Sequence, residues 1–211
     1  MKLLLTSAGF ANKSIIDAFL ELAGKPFSKL RIVDILTAAN MEDGDKTWLI
    51  EGFNQLKELG FSYVDIVDIA AVPRDIWEPR LKNADVLLFG GGNTFYLLDW
   101  INKSGLKELL PNLLKEKIYV GISAGSYVTC PTIEMATWKH QDINKSGLTD
   151  FTGLNLVPFL LSVHYAPDKK EIISEAISKT KYPVKILDDN QAILVRDNDY
   201  KLVGEGKQIN L

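Results

Sequence analysis

The stretch of sequence that decides the fold runs Ile118-Tyr119-Val120-Gly121-Ile122-Ser123-Ala124-Gly125. Its first three residues are apolar and predict a short buried strand, and the Gly-x-Ser-x-Gly pattern that follows stands before an apolar stretch able to start a helix. So tight a turn, a nucleophile elbow, strains the serine backbone and needs small neighbours, because a side chain at either glycine would collide with the adjoining strand or helix. It directs the Ser123 hydroxyl out of the sheet edge and sets the Ala124 amide where it can stabilise an oxyanion. The competing interpretation is an ordinary turn in which Ser123 only caps the helix.

Short apolar segments alternate with amphipathic helical patterns before this turn, which is typical of a parallel sheet covered on both faces. The predicted strands are Leu3–Leu5, Leu30–Leu36, Tyr63–Ile69, Val86–Phe89 and Ile118–Val120. Closely spaced strands at 184–187, 192–195 and 200–203 predict an antiparallel meander at the sheet edge. We therefore expect a doubly wound, mostly parallel α/β fold with helices on both faces and a C-terminal antiparallel extension. Because the sequence contains no repeat or linker, we expect one domain over residues 1–211.

The composition is that of an ordinary globular protein, with 46% hydrophobic and 24% charged residues among 211. The net charge of −3 gives no electrostatic footprint for nucleic acid. No apolar run approaches the roughly 20 residues of a membrane helix, and the apolar start is too short for a signal peptide, so we expect a cytoplasmic protein without a membrane partner. One cysteine and two histidines exclude an internal disulfide and a cysteine- or histidine-rich metal cluster.

A second glycine cluster, Gly90-Gly91-Gly92, also ends an apolar strand. An amide of Gly91 or Gly92 could serve as an oxyanion donor, or the cluster could form an anion-binding nest, and Asn93 can cap the following helix. The competing interpretation is a tight turn required by packing. Since the carboxyl ends of successive parallel strands meet at one sheet edge, we expect both glycine clusters to face one crevice.

A serine needs a neighbouring base to act as a nucleophile, and His140 and His164 are the two imidazoles. His164 ends an apolar, strand-like segment and is the better placed candidate. His140 lies in a polar stretch that predicts an exposed loop. Cys130 lies about two helical turns beyond the serine with no base near it in sequence, which favours a packing role.

Several segments together resemble dipeptidase E and its relatives, serine peptidases of family S51 with a fold similar to class I glutamine amidotransferases. The matching motifs are Gly-Gly-Gly-Asn-Thr-Phe at 90–95, Gly-Ile-Ser-Ala-Gly-Ser at 121–126, Pro-Thr-Ile at 131–133, Leu-Asn-Leu-Val-Pro at 154–158 and His164-Tyr165. The resemblance implies Ser123 as nucleophile, His164 as general base, and the amides of Gly92 and Ala124 as oxyanion donors. It also implies a cytoplasmic enzyme without metal or cofactor.

The sequence departs from this family at the acidic member of the catalytic triad. Where dipeptidase E carries an acidic residue shortly after Pro-Thr-Ile, this chain has Trp138. The candidates for the third role are then Glu134, Asp142 and Asp150, or the role is absent. We expect Asp189 to form a hairpin turn rather than a catalytic contact.

The leading hypothesis is a serine peptidase that cleaves small peptides, by resemblance Asp-Xaa, through an acyl-enzyme on Ser123. The first alternative is a hydrolase resembling cyanophycinase, which cleaves an aspartate–arginine polymer. The second is a non-catalytic ligand-binding homologue with a degraded triad, motivated by Trp138. The sequence does not indicate an oligomeric state.

Overall fold

The structure, a computed structural model, describes residues 1–139 and 142–211. The strands of the described residues are β1 (Lys2–Thr6), β2 (Arg31–Ile35), β3 (Tyr63–Val67), β4 (Val86–Phe89), β5 (Ile118–Ile122), β6 (Leu160–Ser162), β7 (Val184–Ile186), β8 (Gln191–Arg196) and β9 (Asp199–Gly204). The α-helices are α1 (Lys13–Ala23), α2 (Thr37–Asn40), α3 (Thr47–Leu59), α4 (Arg74–Asn83), α5 (Thr94–Lys103), α6 (Leu106–Leu113), α7 (Ala124–Tyr127) and α8 (Lys170–Lys179). Short 3₁₀ turns lie at Phe27–Lys29, Glu134–Thr137 and Pro167–Lys169.

Within the described residues, seven strands form one sheet in the order β3-β2-β4-β5-β1-β8-β9. The first five of these strands pair in parallel, and β8 and β9 continue the sheet antiparallel beside β1. The carboxyl ends of β2, β4 and β5 therefore lie side by side at one edge. This architecture confirms the predicted α/β class, the mostly parallel sheet and the antiparallel C-terminal extension.

Two apolar layers cover the sheet, one on each face. Side chains of α1 and α3, among them Phe19 and Leu56, pack with Ile32 of β2 on one face. Helices α4 to α7 pack on the opposite face together with Val33 and Ile35. Because side chains alternate along a strand, Asp34 shares the face of Ile32 and points toward α3. A charged residue thus stands where the strand pattern otherwise places apolar side chains.

The predicted C-terminal meander is wrong in its first strand. β7 does not join the main sheet but pairs in parallel with β6 in a separate two-stranded sheet. The reason is that β6 offers an apolar, fully buried edge, while the place beside β1 is taken by β8. The segment after β7 consequently crosses from the small sheet to the large one, and this crossing positions Asp189.

Candidate active site

The turn after β5 has the strained geometry that the sequence predicts. Ser123 has φ 50° and ψ −106°, a backbone conformation that residues other than glycine rarely adopt. A Cβ on Gly121 would lie 2.7 Å from the carbonyl oxygen of Gly125, and a Cβ on Gly125 would lie 1.9 Å from that of Phe89. Both glycines are therefore required by contact, as predicted. The backbone N–H of Ser123 donates to the carbonyl of Thr6 on the neighbouring strand (3.2 Å), which fixes the turn against β1.

His164 reaches the serine hydroxyl directly. It follows β6 and, with φ 54°, also lies in the left-handed region. Its Nε2 is 2.9 Å from Ser123 Oγ, and its backbone N–H donates to Ser7 Oγ (2.8 Å). The two residues that the sequence paired are thus within hydrogen-bond distance, with the serine donating to the imidazole.

The carboxylate beside His164 is that of Asp189, which is a correction of the sequence-based expectation. Asp189 lies in the turn between β7 and β8, and its Oδ1 is 2.6 Å from His164 Nδ1. Ser7 Oγ donates to the same oxygen (2.6 Å). The hydrogen bond from His164 holds the pKa of Asp189 below its usual value, helped by the one from Ser7. Asp189 is therefore ionised at neutral pH, and the network assigns the imidazole proton to Nδ1, leaving Nε2 as acceptor.

The three carboxylates proposed from sequence have other contacts. Asp142 accepts from the backbone N–H of Thr94 (2.9 Å), and burial raises its pKa. Asp150 accepts from the N–H of Thr152, and Glu134 begins a 3₁₀ turn. In the described part of the chain none of the three hydrogen-bonds His164. His140, expected in a loop, lies outside the described residues.

The glycine turn after β4 lies against the serine turn. A Cβ on Gly91 would be 3.6 Å from Ser123 Cβ, so the two clusters share one crevice, as expected. Gly92 has φ +124°, and a Cβ there would lie 2.4 Å from the carbonyl oxygen of Ala38, so this position requires glycine. Asn93 caps α5 by accepting from the N–H of Tyr96 (3.1 Å), which confirms the predicted cap. Gly92 lines the same cavity as Ser123, and Ala124 directly follows the serine at the start of α7.

A cavity of about 720 Å³ opens from Ser123 and His164 toward α3. The sheet edge supplies Gly90, Gly91, Gly92, Leu88 and Ile122, and α3 supplies Trp48, Leu49, Glu51, Gly52, Gln55 and Leu56. Asp34 lines the same cavity, although its side chain is only 5% exposed. The serine hydroxyl therefore faces a space large enough for a peptide residue.

Two further residues near the site, Cys130 and Lys139, are buried. Burial raises the pKa of the Cys130 thiol to about 12, so Cys130 is an inert packing residue, as its position suggested. Lys139 is buried, its Nζ donates to the carbonyl of Val163, and burial lowers its pKa to about 8. Because Val163 precedes His164, this contact holds the histidine segment in place.

The described residues offer no group of three or more His, Cys, Asp or Glu side chains arranged to hold a metal ion. A serine hydroxyl hydrogen-bonded to an imidazole, which contacts a carboxylate, is an arrangement suited to nucleophilic attack on an acyl carbon. The fold and the site define an α/β protein with a serine–histidine–aspartate hydrogen-bond chain at the carboxyl edge of its sheet.

Comparison with known proteins gives the family. The family model "Peptidase family S51" matches residues 3–203. An uncharacterized peptidase of Pasteurella multocida is 30% identical over 208 residues, covering 96% of this chain and 97% of that protein. A peptidase E of Nostoc is 40% identical over 86 residues, covering 40% of this chain and 34% of that protein. A crystal structure of a Listeria monocytogenes protein provisionally assigned to peptidase E covers 99% of this chain and 98% of its own, with TM-score 0.80 and 26% identity.

The chain belongs to peptidase family S51, and its activity class is that of a peptidase. The resemblance to dipeptidase E noted from sequence motifs is thereby confirmed. Among the described helices, none combines the length and apolar character needed to span a membrane.

Proposed function

We propose that this chain is a serine peptidase that hydrolyses small peptides through an acyl-enzyme on Ser123. The observation that carries the proposal is the continuous chain of hydrogen bonds from Ser123 Oγ through His164 to Asp189 Oδ1. A serine at its ordinary pKa is a poor nucleophile, and this chain supplies the base it needs.

The proposed reaction follows from the positions of these atoms. Ser123 Oγ attacks the scissile carbonyl carbon while its proton passes to His164 Nε2. The imidazolium, stabilised by Asp189, then gives that proton to the leaving amine as the carbon–nitrogen bond breaks. Water, deprotonated by the same imidazole, hydrolyses the ester and restores the serine.

The oxyanion formed in both steps requires donors beside Ser123. The backbone amides of Gly92 and Ala124 are our candidates, because Ala124 begins the helix after the serine and the Gly90–Gly92 turn lies against it. Ser7 serves as a positioning residue, since it holds both the His164 backbone and the Asp189 carboxylate. We place the enzyme in the cytoplasm on the strength of the family resemblance and composition.

The alternatives raised by sequence have less support. The hypothesis of a non-catalytic homologue depended on Trp138, which stands where the family has an acidic residue. Because Asp189 contacts His164, the absence of an acidic residue at position 138 no longer supports that hypothesis. Asp-Xaa specificity rests on the resemblance alone, because none of the described cavity-lining residues is a lysine or arginine that could pair with an aspartate side chain. Assays with Asp-Xaa dipeptides and with cyanophycin test these two substrate classes.

Hydrolysis of a dipeptide panel by wild type, Ser123→Ala and His164→Ala tests the mechanism. Either substitution should lower kcat by about 10⁴-fold, because a missing triad member removes the activated nucleophile. Ser178→Ala, on the exposed helix α8, is the matched control and should retain wild-type kcat. Wild-type activity in either site variant would overturn the proposal.

A further inference from the structure

The cavity beside Ser123 is strongly acidic. The carboxylate residues among its lining are Asp34, Glu42, Asp43, Glu51 and Asp142. Asp43 forms an ion pair with Lys145 (2.6 Å), and Asp142 accepts from the Thr94 amide, but no lysine or arginine belongs to the described lining. Asp43 and Glu51 are exposed to solvent, whereas Asp34 is buried, and carboxylates that line a cleft without a lysine or arginine among them attract a cation and repel an anion. The cavity therefore discriminates by charge against the acidic side chain that the family resemblance suggested.

Asp34 gives the cavity a specific attachment point. Its side chain is 5% exposed, and its Oδ1 has no hydrogen-bond partner among the described residues. An unpartnered buried carboxyl group is costly, and its presence in a folded protein requires an explanation, of which a bound ion or ligand group is one. Burial raises its pKa to about 7, whereas a bound cation would stabilise the ionised form.

The register of the strands sets the distance from this carboxylate to the nucleophile. Asp34 aligns with Leu88 and then Val120, and Ser123 lies three residues beyond Val120. Strand spacing and rise per residue give a Cα separation of about 14 Å between Asp34 and Ser123. An α-ammonium is bonded directly to Cα, next to the attacked carbonyl, whereas a lysine or arginine side chain extends several bonds further. The Asp34 carboxylate lies across the Gly90–Gly91 turn from the nucleophile, since a Cβ on Gly90 would be 3.4 Å from Asp34 Oδ1 and a Cβ on Gly91 would be 3.6 Å from Ser123 Cβ. A long cationic side chain can extend across this turn, whereas an α-ammonium stays beside the attacked carbonyl.

We propose that the cavity receives a positively charged nitrogen of the residue whose carbonyl Ser123 attacks, with Asp34 as its counter-ion. The inference rests on the proposed peptidase function and deepens it by naming the substrate class: peptides with a cationic residue on the acyl side. The two sources of such a nitrogen are a lysine or arginine side chain, which the distance favours, and the substrate α-ammonium.

The test compares arginine with citrulline, its neutral isostere, as 7-amido-4-methylcoumarin derivatives with free and with acetylated α-amines. Wild type should hydrolyse the arginine compound with a kcat/KM at least about tenfold above that of citrulline, as expected for a charged hydrogen bond. Asp34→Asn should bring this ratio close to one. Asp17→Asn, which removes an exposed carboxylate from α1, is the matched control and should keep the wild-type ratio.

The outcomes separate the two sources. Loss of the arginine preference in Asp34→Asn assigns the side chain, and loss of a preference for free over acetylated α-amines assigns the α-ammonium. If Asp34→Asn is folded by its melting curve and changes neither preference, the inference is overturned.

A binding measurement makes the inference independent of turnover. Calorimetry of Ser123→Ala with arginine amide and citrulline amide should show at least about tenfold tighter binding of arginine, lost when Asp34→Asn is added. Tighter binding of arginine amide that is lost in Asp34→Asn, combined with no hydrolysis by wild type, would refute the proposed function and still support the cation site. Equal binding of the two amides would exclude the side chain as the source of the bound nitrogen. If citrulline amide and its α-N-acetyl form also bound equally, the cation site would be overturned whatever the activity.

Discussion

Two carboxylates near the active site, Asp189 behind His164 and Asp34 in the cavity, have pKa values shifted in opposite directions. Asp189 accepts hydrogen bonds from an imidazole and a hydroxyl, and its pKa is lowered mainly by the bond to His164. Asp34 has an oxygen without a partner among the described residues, and burial raises its pKa to about 7. The same side chain thus serves two purposes, set by its surroundings.

The Asp189 carboxylate has its hydrogen-bond partners within the protein, whereas Asp34 Oδ1 has none among the described residues. The Asp189 carboxylate has its hydrogen-bond partners without substrate, so its substitution should affect the chemical step. Asp34 lacks a partner, so its substitution should affect substrate choice and stability.

Asp189→Asn should lower kcat by about 10³- to 10⁴-fold with little change in KM, because the amide no longer stabilises the imidazolium or fixes its tautomer. Steady-state kinetics on the best dipeptide substrate measure this. Asp150→Asn is the matched control, since Asp150 contacts Thr152 rather than His164, and it should behave as wild type. A kcat for Asp189→Asn within a few-fold of wild type would contradict a catalytic role for Asp189.

Asp34→Asn should stabilise the fold at pH 8 by several kcal/mol, and this gain should shrink toward pH 4. The folded pKa of about 7 exceeds the ordinary aspartate value of 3.8, so between these two pH values the folded state retains a proton that the unfolded state has lost. Wild-type stability consequently falls as pH rises through this window, and the asparagine variant avoids that loss. Urea unfolding at pH 4.5, 6 and 8 measures the difference.

Asp189→Asn should show the opposite trend in the same unfolding experiment. The folded pKa of Asp189 is lowered, so its ionised form contributes stability above the unfolded pKa that is lost as pH falls through the folded value. The variant should therefore be less stable than wild type at pH 8 and approach it in acid. Parallel pH trends for both variants would contradict the contrast between the two carboxylates.

Ser7→Ala should lower kcat by about tenfold while KM stays near the wild-type value. The variant removes one hydrogen bond to Asp189 and one to the His164 backbone, each worth about 1 kcal/mol. Ser7→Thr keeps the hydroxyl and should recover part of the lost kcat. A change confined to KM would place Ser7 in substrate binding instead.

The serine turn could be predicted because its constraints are local. Gly121 and Gly125 are required by contacts within the turn and with the adjacent strand, and such contacts leave a short sequence pattern. His164 could be found because it ends an apolar strand and only two histidines were available. The fold class followed likewise from the alternation of strands and helices.

Asp189 could not be predicted because its role depends on a long-range crossing. Its sequence context, between β7 and β8, has the composition of a turn, and the structure does place it in one. What brings it to His164 is the pairing of β7 with β6 and of β8 with β1, neither of which leaves a local signal.

Asp34 was missed for a different reason. It lies in a strand whose other buried residues are apolar, and one charged residue does not change the prediction of a buried strand. Helices α4 and α8 left a weak signal because few of their residues are buried: Trp77 and Leu81 in α4, and Ile173 in α8. A helix with few buried residues gives a weak hydrophobic periodicity and is therefore hard to predict from sequence.

Covalent labelling of the folded protein with a fluorophosphonate, followed by intact mass measurement and peptide mapping, tests directly whether His164 activates Ser123. If His164 activates Ser123, wild type should gain one adduct, mapped to Ser123, and His164→Gln should label far more slowly. Absence of labelling, an adduct on another residue, or an equal rate in His164→Gln would contradict the account.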